Sequence, residues 1–135
     1  MSEMERLGDV LEGVDAGIYA YGLVAARLDG DERDEALSDM ASLRAERDRL
    51  RARITALGGT PPAAAAAYTP PFDVDDRASA RRLAALVEDR LAGQLAALAA
   101  ASTDGARARA AAVAAQRAVR VVAWSGTAPT WNGAG

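Results

Sequence analysis

Ala36, Met40, Leu43, Arg47, Leu50, Ile54 and Leu57 alternate four-three spacing through three heptads. That spacing puts all seven on one face of a single long helix. Six are apolar and need partner helices to cover them. The seventh, Arg47, carries a charge that cannot be titrated away. A guanidinium at mid-seam must either reach out to solvent or meet an acid on a neighbouring helix. The pattern therefore predicts a helical bundle with a polar cluster inside it.

The rest of the composition agrees with helices. At 135 residues the chain is read as one domain, large enough for a core. Half its residues are apolar, and Ala dominates that half. Tyr19, Tyr21, Tyr68, Phe72, Trp124 and Trp131 are its aromatics. Small side chains with few rings suit closely packed helices, whereas a β-sandwich needs β-branched and aromatic strands. There is no Cys and no His. Thiolate nucleophiles, Ser-His-Asp triads and His-ligated metals are excluded, and only carboxylates are left as metal ligands.

The net charge of −3 argues against a broad nucleic-acid footprint. All sixteen basic residues are Arg, a bias that a GC-rich genome accounts for and that Arg-rich anion recognition would also produce. No run of 18 apolar residues is present, so no membrane span is expected. The acidic start, Met1 to Glu5, lacks the apolar stretch of a signal peptide. The expectation is a soluble, cytoplasmic protein.

Helix 1 is expected from about Glu3 to Leu28, with Leu7, Leu11, Val14, Ile18, Tyr21, Ala25 and Leu28 at helical spacing. Gly8, Gly13, Gly17 and Gly22 would weaken it unless a neighbouring helix approaches closely. Asp29-Gly30 is a natural stop. Helix 2 starts near Asp31 or Glu32 and ends at Gly58-Gly59; the short link makes helices 1 and 2 antiparallel neighbours. The prolines of Thr60 to Val74 keep that segment out of a continuous helix. Ala63–Ala67 leave room for one helical turn, and Tyr68 and Phe72 are candidates to pin the segment.

Extended at roughly 3 Å per residue, the segment covers about 40 Å. Helix 2 has about that length at roughly 1.5 Å per residue. The crossover, residues 58–75, can thus return along the whole bundle and set helices 2 and 3 parallel. Helix 3 runs from Asp75 or Asp76 to about Ala101, with Leu83, Val87, Leu91, Gln94 and Leu98 on one face. Helix 4 runs from about Ala106 to Trp124, with Ala112, Ala115, Val119 and Val122 read as its inner face. Residues 125–135 are Gly- and Pro-rich and read as an irregular tail that Trp131 docks. Two antiparallel hairpins joined by one long crossover make an all-α, ferritin-like four-helix bundle over residues 1–124.

That topology does not bring metal chemistry with it. A di-iron centre needs a Glu from each of two helices and Glu-x-x-His from each of the others. Here Glu46 is followed by Arg49 at the ligand offset, and helix 4 has no acid after Asp104. The candidate cluster is instead Asp15, Arg47, Glu88, Gln116 and Arg120. Asp15 borders the apolar face of helix 1 opposite Arg47, Glu88 shares a face with Leu91 and Leu95, and Gln116 and Arg120 close the cluster from helix 4. The competing reading has each side chain reach solvent and pair locally, as Glu46, Asp48 and Arg51 can along helix 2.

Tyr19-Ala20-Tyr21-Gly22, Arg44, Arg47-Asp48, Gly58-Gly59-Thr60-Pro61-Pro62, Tyr68 and Pro71-Phe72 follow in a characteristic order. Glu88 before Arg90, and Arg117 and Arg120 leading to Trp124, extend it. Together these residues resemble a small ferritin-like domain family of unknown function from high-GC bacteria. The resemblance implies Glu-His where this chain has Val14-Asp15 and His where it has Leu43. Both departures remove potential ligands and imply an altered polar site.

The function these readings favour is a non-catalytic bundle without a di-iron centre or cofactor, assembling as a homodimer or with a protein partner. One alternative is a binder of a small anionic ligand through Arg47 and Arg120. Another, a carboxylate metal enzyme or storage protein, would require metal held by Glu46, Glu88 and Asp15.

Overall fold

A computed structural model describes residues 1–126 as four α-helices, with no strand among them. They are α1 (Glu3–Ala25), α2 (Gly30–Ala56), α3 (Arg77–Ala100) and α4 (Asp104–Ser125). The predicted docking of Trp131 and most of the predicted tail lie outside the described residues.

Local sequence sets the helix ends. Ser2 and Glu5 cap each other's backbone N–H groups at the start of α1, and Asp76 and Ser79 do the same for α3. α2 stops where Gly58 takes a φ of +86°, a left-handed conformation that a side chain would strain. α1 ends at Ala25 rather than Leu28. The three residues after it turn back toward α2, and Leu28 stays buried.

α1 pairs with α2, α3 with α4, and α1 with α3 by close backbone approach. Gly13 and Gly17 allow the α1–α3 contact. A Cβ at Gly17 would stand 3.0 Å from Leu43 Cδ1 and 3.1 Å from Val87 Cγ1. The Glu3–Arg53 ion pair at one end and the Tyr21–Asp39 hydrogen bond toward the other make α1 and α2 antiparallel. Glu32, in the first turn of α2, binds Arg77 and Arg81 at the start of α3. α2 and α3 therefore begin at the same end of the bundle.

Between them, residues 57–76 form no helix, and the alanine run makes no helical turn. Backbone oxygens tie this segment down: Arg51 donates to Pro62 O at 2.9 Å and Arg27 to Val74 O at 3.3 Å. Arg82 lies 4.1 Å over the Phe72 ring, and Tyr68, Phe72 and Val74 pack against the core.

α2 meets α4 differently. Long polar side chains span that seam: Arg109 reaches Glu46, Arg117 reaches Ser42, and Arg120 reaches Asp39 and Glu35. The inner face of α4 is Ala110, Val113, Ala114, Arg117, Val121 and Trp124. Ala112, Ala115, Val119 and Val122 face solvent, contrary to the sequence expectation. On so Ala-rich a helix both faces are apolar, and pattern alone cannot choose between them. The large Trp124 and the long Arg117 fill the wider space toward α2.

Candidate functional site

The polar interior is built around Glu88, whose side chain is 0% exposed. It projects from the middle of α3 among Ala84, Leu91 and Ala92, so no water reaches it from its own helix. Its Oε2 accepts a 2.9 Å hydrogen bond from the Tyr21 hydroxyl of α1. From α4, Arg117 Nη1 stands 3.4 Å from Oε2 and 3.5 Å from Oε1. Those separations exceed the 2.7–2.9 Å typical of a tight charge-assisted bond, so the pair is held by proximity rather than by a fork. Arg117 also donates to Ser42 Oγ at 3.1 Å. Its buried Nε has no acceptor.

Asp39, on α2, is the second hub. It accepts from Trp124 Nε1 at 2.9 Å, from Arg120 Nε at 2.9 Å and from the Tyr21 hydroxyl at 3.3 Å. Arg120 continues outward to Glu35. The Trp124 ring lies against Tyr21 at 6.3 Å between centroids, with Arg81 and Arg120 near its edges and faces. All four helices contribute, and the two buried carboxylates are matched by two guanidinium groups.

Burial pushes the Glu88 carboxyl up to about 7; Arg117 and the Tyr21 hydrogen bond pull it down, and Asp39 pushes it further up. Burial, then the Glu88 and Asp39 charges, raise the Tyr21 hydroxyl well above its usual range. Hydrogen-bond arithmetic gives the same direction for Glu88. Tyr21 has one hydroxyl proton and two carboxylate neighbours, so with both ionised one contact has no hydrogen. A proton on Glu88 completes the chain: Glu88 donates to the Tyr21 oxygen and Tyr21 donates to Asp39.

The donor set does not fit a di-metal centre. Among the described residues no three His, Cys, Asp or Glu converge as ligands. α4 brings Arg117 and Arg120 to the middle of the bundle, and a guanidinium repels a cation.

Of the five residues singled out in the sequence, Glu88 and Arg120 belong to this network, joined through Asp39 and Tyr21. Arg47 does not. It lies on the flank of α2, about a third exposed, and pairs with its neighbour Asp48 at 3.2 Å. The inward residue at that level is Glu46, on the α4 side, where it meets Arg49 and Arg109. A straight helix drifts by about 20° per heptad from a strict seven-residue repeat, so the inner face passes through Asp39 and Glu46 as well as Leu43.

Asp15 sits on the outer side of α1. Partial burial raises its carboxyl, and the Arg47 and Arg51 charges lower it; Glu88's hydrogen bonds go to Tyr21 and Arg117 instead. Gln116 is exposed, and the inward residue is Arg117 beside it. The sequence reading missed Asp39, Arg117 and the Tyr21 hydroxyl as members. Asp39 is three residues from Ala36 and four from Leu43, a spacing that could have found it, whereas α4 is apolar on both faces and its spacing does not single out Arg117.

The sequence matches the family described as a domain of unknown function, DUF4439, over residues 7–134. It is also similar to a conserved hypothetical protein, rv2844, from Mycobacterium tuberculosis, known from a crystal structure. The two share 31% identity and a TM-score of 0.87 over 90% of this chain and 93% of that one. No curated protein matches.

Proposed function

We propose that this chain, which belongs to the DUF4439 family of domains of unknown function, is a non-catalytic, ferritin-like bundle that works by assembling with a second copy of itself. One observation carries the non-catalytic part. The central carboxylates, Glu88 and Asp39, are engaged by the protein's own Tyr21, Trp124, Arg117 and Arg120. A site so engaged offers a substrate or a metal no ligand without first breaking its own hydrogen bonds. Val14, Asp15 and Leu43, standing where the resemblance implies Glu, His and His, support an altered, structural interior.

The outer face of α4 supports self-association. Val119 is 64% exposed and Val122 48%, with exposed Ala111, Ala112 and Ala115 on the same side. The outward residues from Ala108 to Ala123 other than Arg109 and Gln116 are Ala and Val, and small residues let a second helix approach closely. No described helix is long and apolar enough to cross a membrane, and a cytoplasmic location fits this reading.

Sedimentation velocity over a concentration series tests the assembly. A dimer that Val119→Glu disperses, with helicity unchanged, is expected; a monomer at every concentration refutes it. Dialysis against ferrous or manganous salt followed by elemental analysis tests the chemistry. Stoichiometric metal retained by the natural chain, and lost in Glu88→Gln, would overturn the non-catalytic reading.

A further inference from the structure

The other end of the bundle, remote from Glu88, opens into a cleft of about 100 Å³ where α1 and α3 face α2 and α4. Leu7, Leu50, Leu95, Leu98 and Ala110 form its apolar floor. Arg49, Arg53 and Arg109 stand at its mouth with two acids, Glu3 and Glu46. Three cations against two carboxylates leave the rim with one excess positive charge, on a chain whose net charge is −3. Arg53 is paired with Glu3, and Arg49 and Arg109 with Glu46. Each guanidinium has five N–H groups and gives no more than two to these acids, so donors remain for a further anion.

We infer that this cleft binds a small amphiphile: one carboxylate head held between the rim arginines and a short hydrocarbon tail on the leucine floor. Both parts are needed. A hydrophilic anion would leave the floor wet, and an uncharged hydrocarbon would forgo the excess charge at the mouth. Size sets the tail. A dry leucine-lined cavity of about 150 Å³ holds six ring carbons, so about 100 Å³ takes roughly four methylenes. The site is independent of the buried network and of any self-association through α4's outer face. It also relocates the anion-binding expectation, since neither Arg47 nor Arg120 lines this apolar cleft.

Titration of the full chain with straight-chain carboxylates from acetate to octanoate, by calorimetry or by amide chemical shifts, tests this. Affinity should rise about fourfold per added methylene, level off near hexanoate, and be weaker for the matching alcohols and amines. Ala110→Leu fills the floor and Ala106→Leu plugs the mouth; either should abolish binding while helicity and Tm are kept. Arg53→Gln with Arg109→Gln should weaken carboxylates at least tenfold and leave alcohols unchanged. No saturable binding at millimolar carboxylate, no dependence on tail length, or undiminished binding in both filled variants would each overturn the proposal.

Discussion

Replacing Glu88 by Gln keeps shape and hydrogen-bonding capacity but removes the titrating group at the centre of the network. The natural carboxyl titrates near 7 in the folded chain, against an ordinary value of 4.5. Between those two values the native state holds a proton that the unfolded state has released. Stability therefore falls as pH rises. The contribution is fully present below 4.5 and is lost as pH passes through 7. The separation is worth about 3 kcal/mol, at roughly 1.4 kcal/mol per tenfold change in proton affinity. Urea unfolding of both chains at a series of pH values from 4 to 9, followed by circular dichroism, gives the difference directly.

Subtraction matters because other groups also titrate. Asp15 is raised, with the same sign of slope. Glu32 and Asp76 are held low by their hydrogen bonds, so their contributions are lost only as pH falls further. These terms are common to both chains and cancel. The natural chain should lose about 3 kcal/mol relative to Glu88→Gln between acid and alkaline pH. A pH-independent difference would refute the reasoning, because a buried carboxylate stable in its ionised form gives no such slope.

Two further predictions probe the surroundings. Arg117→Met removes the cation that most lowers the Glu88 carboxyl, so the variant should be about 3–5 kcal/mol less stable at alkaline pH and show a smaller loss below neutrality; chemical denaturation at both pH values checks it. Gly8→Ala should stabilise by about 1 kcal/mol because the new methyl meets nothing and helix propensity improves. Gly17→Ala should destabilise by about 1–3 kcal/mol because Leu43 and Val87 must give way; thermal unfolding of the two variants should shift in opposite directions.

The helices were legible from apolar periodicity and from the stops at Asp29-Gly30 and Gly58-Gly59; the caps that fix the starts of α1 and α3, Ser2 with Glu5 and Asp76 with Ser79, act within a few residues. Burial of Tyr21 and Leu43 was legible from spacing, since both stand among apolar residues at helical intervals. The site was only half legible. Whether Arg47 or Glu46, Gln116 or Arg117 turns inward depends on rotating a helix by one residue's angle. Neighbouring helices fix that rotation, and the flat apolar pattern of α4 carries no record of it. Asp39 was hidden for a related reason: an acid beside Met40 reads as the solvent flank until Trp124 and Arg120 arrive from a helix about 80 residues away.

That flatness gives the buried charges a role. An Ala-rich α4 could slide along α2 with little change in apolar contact, because one alanine replaces another. The polar rungs forbid it. Arg109, Arg117 and Arg120 in ascending order meet Glu46, Ser42 and Asp39 in descending order, so a one-turn slip breaks several pairs at once. Buried ion pairs add little net stability, and the expectation is that these specify register instead. The double variant Glu88→Leu with Arg117→Met should therefore be at least as stable as the natural chain at alkaline pH. Its α2 and α4 amide resonances should nevertheless broaden or double as registers exchange. A single sharp set of resonances at equal stability would mean that Trp124 and the leucines alone fix the register.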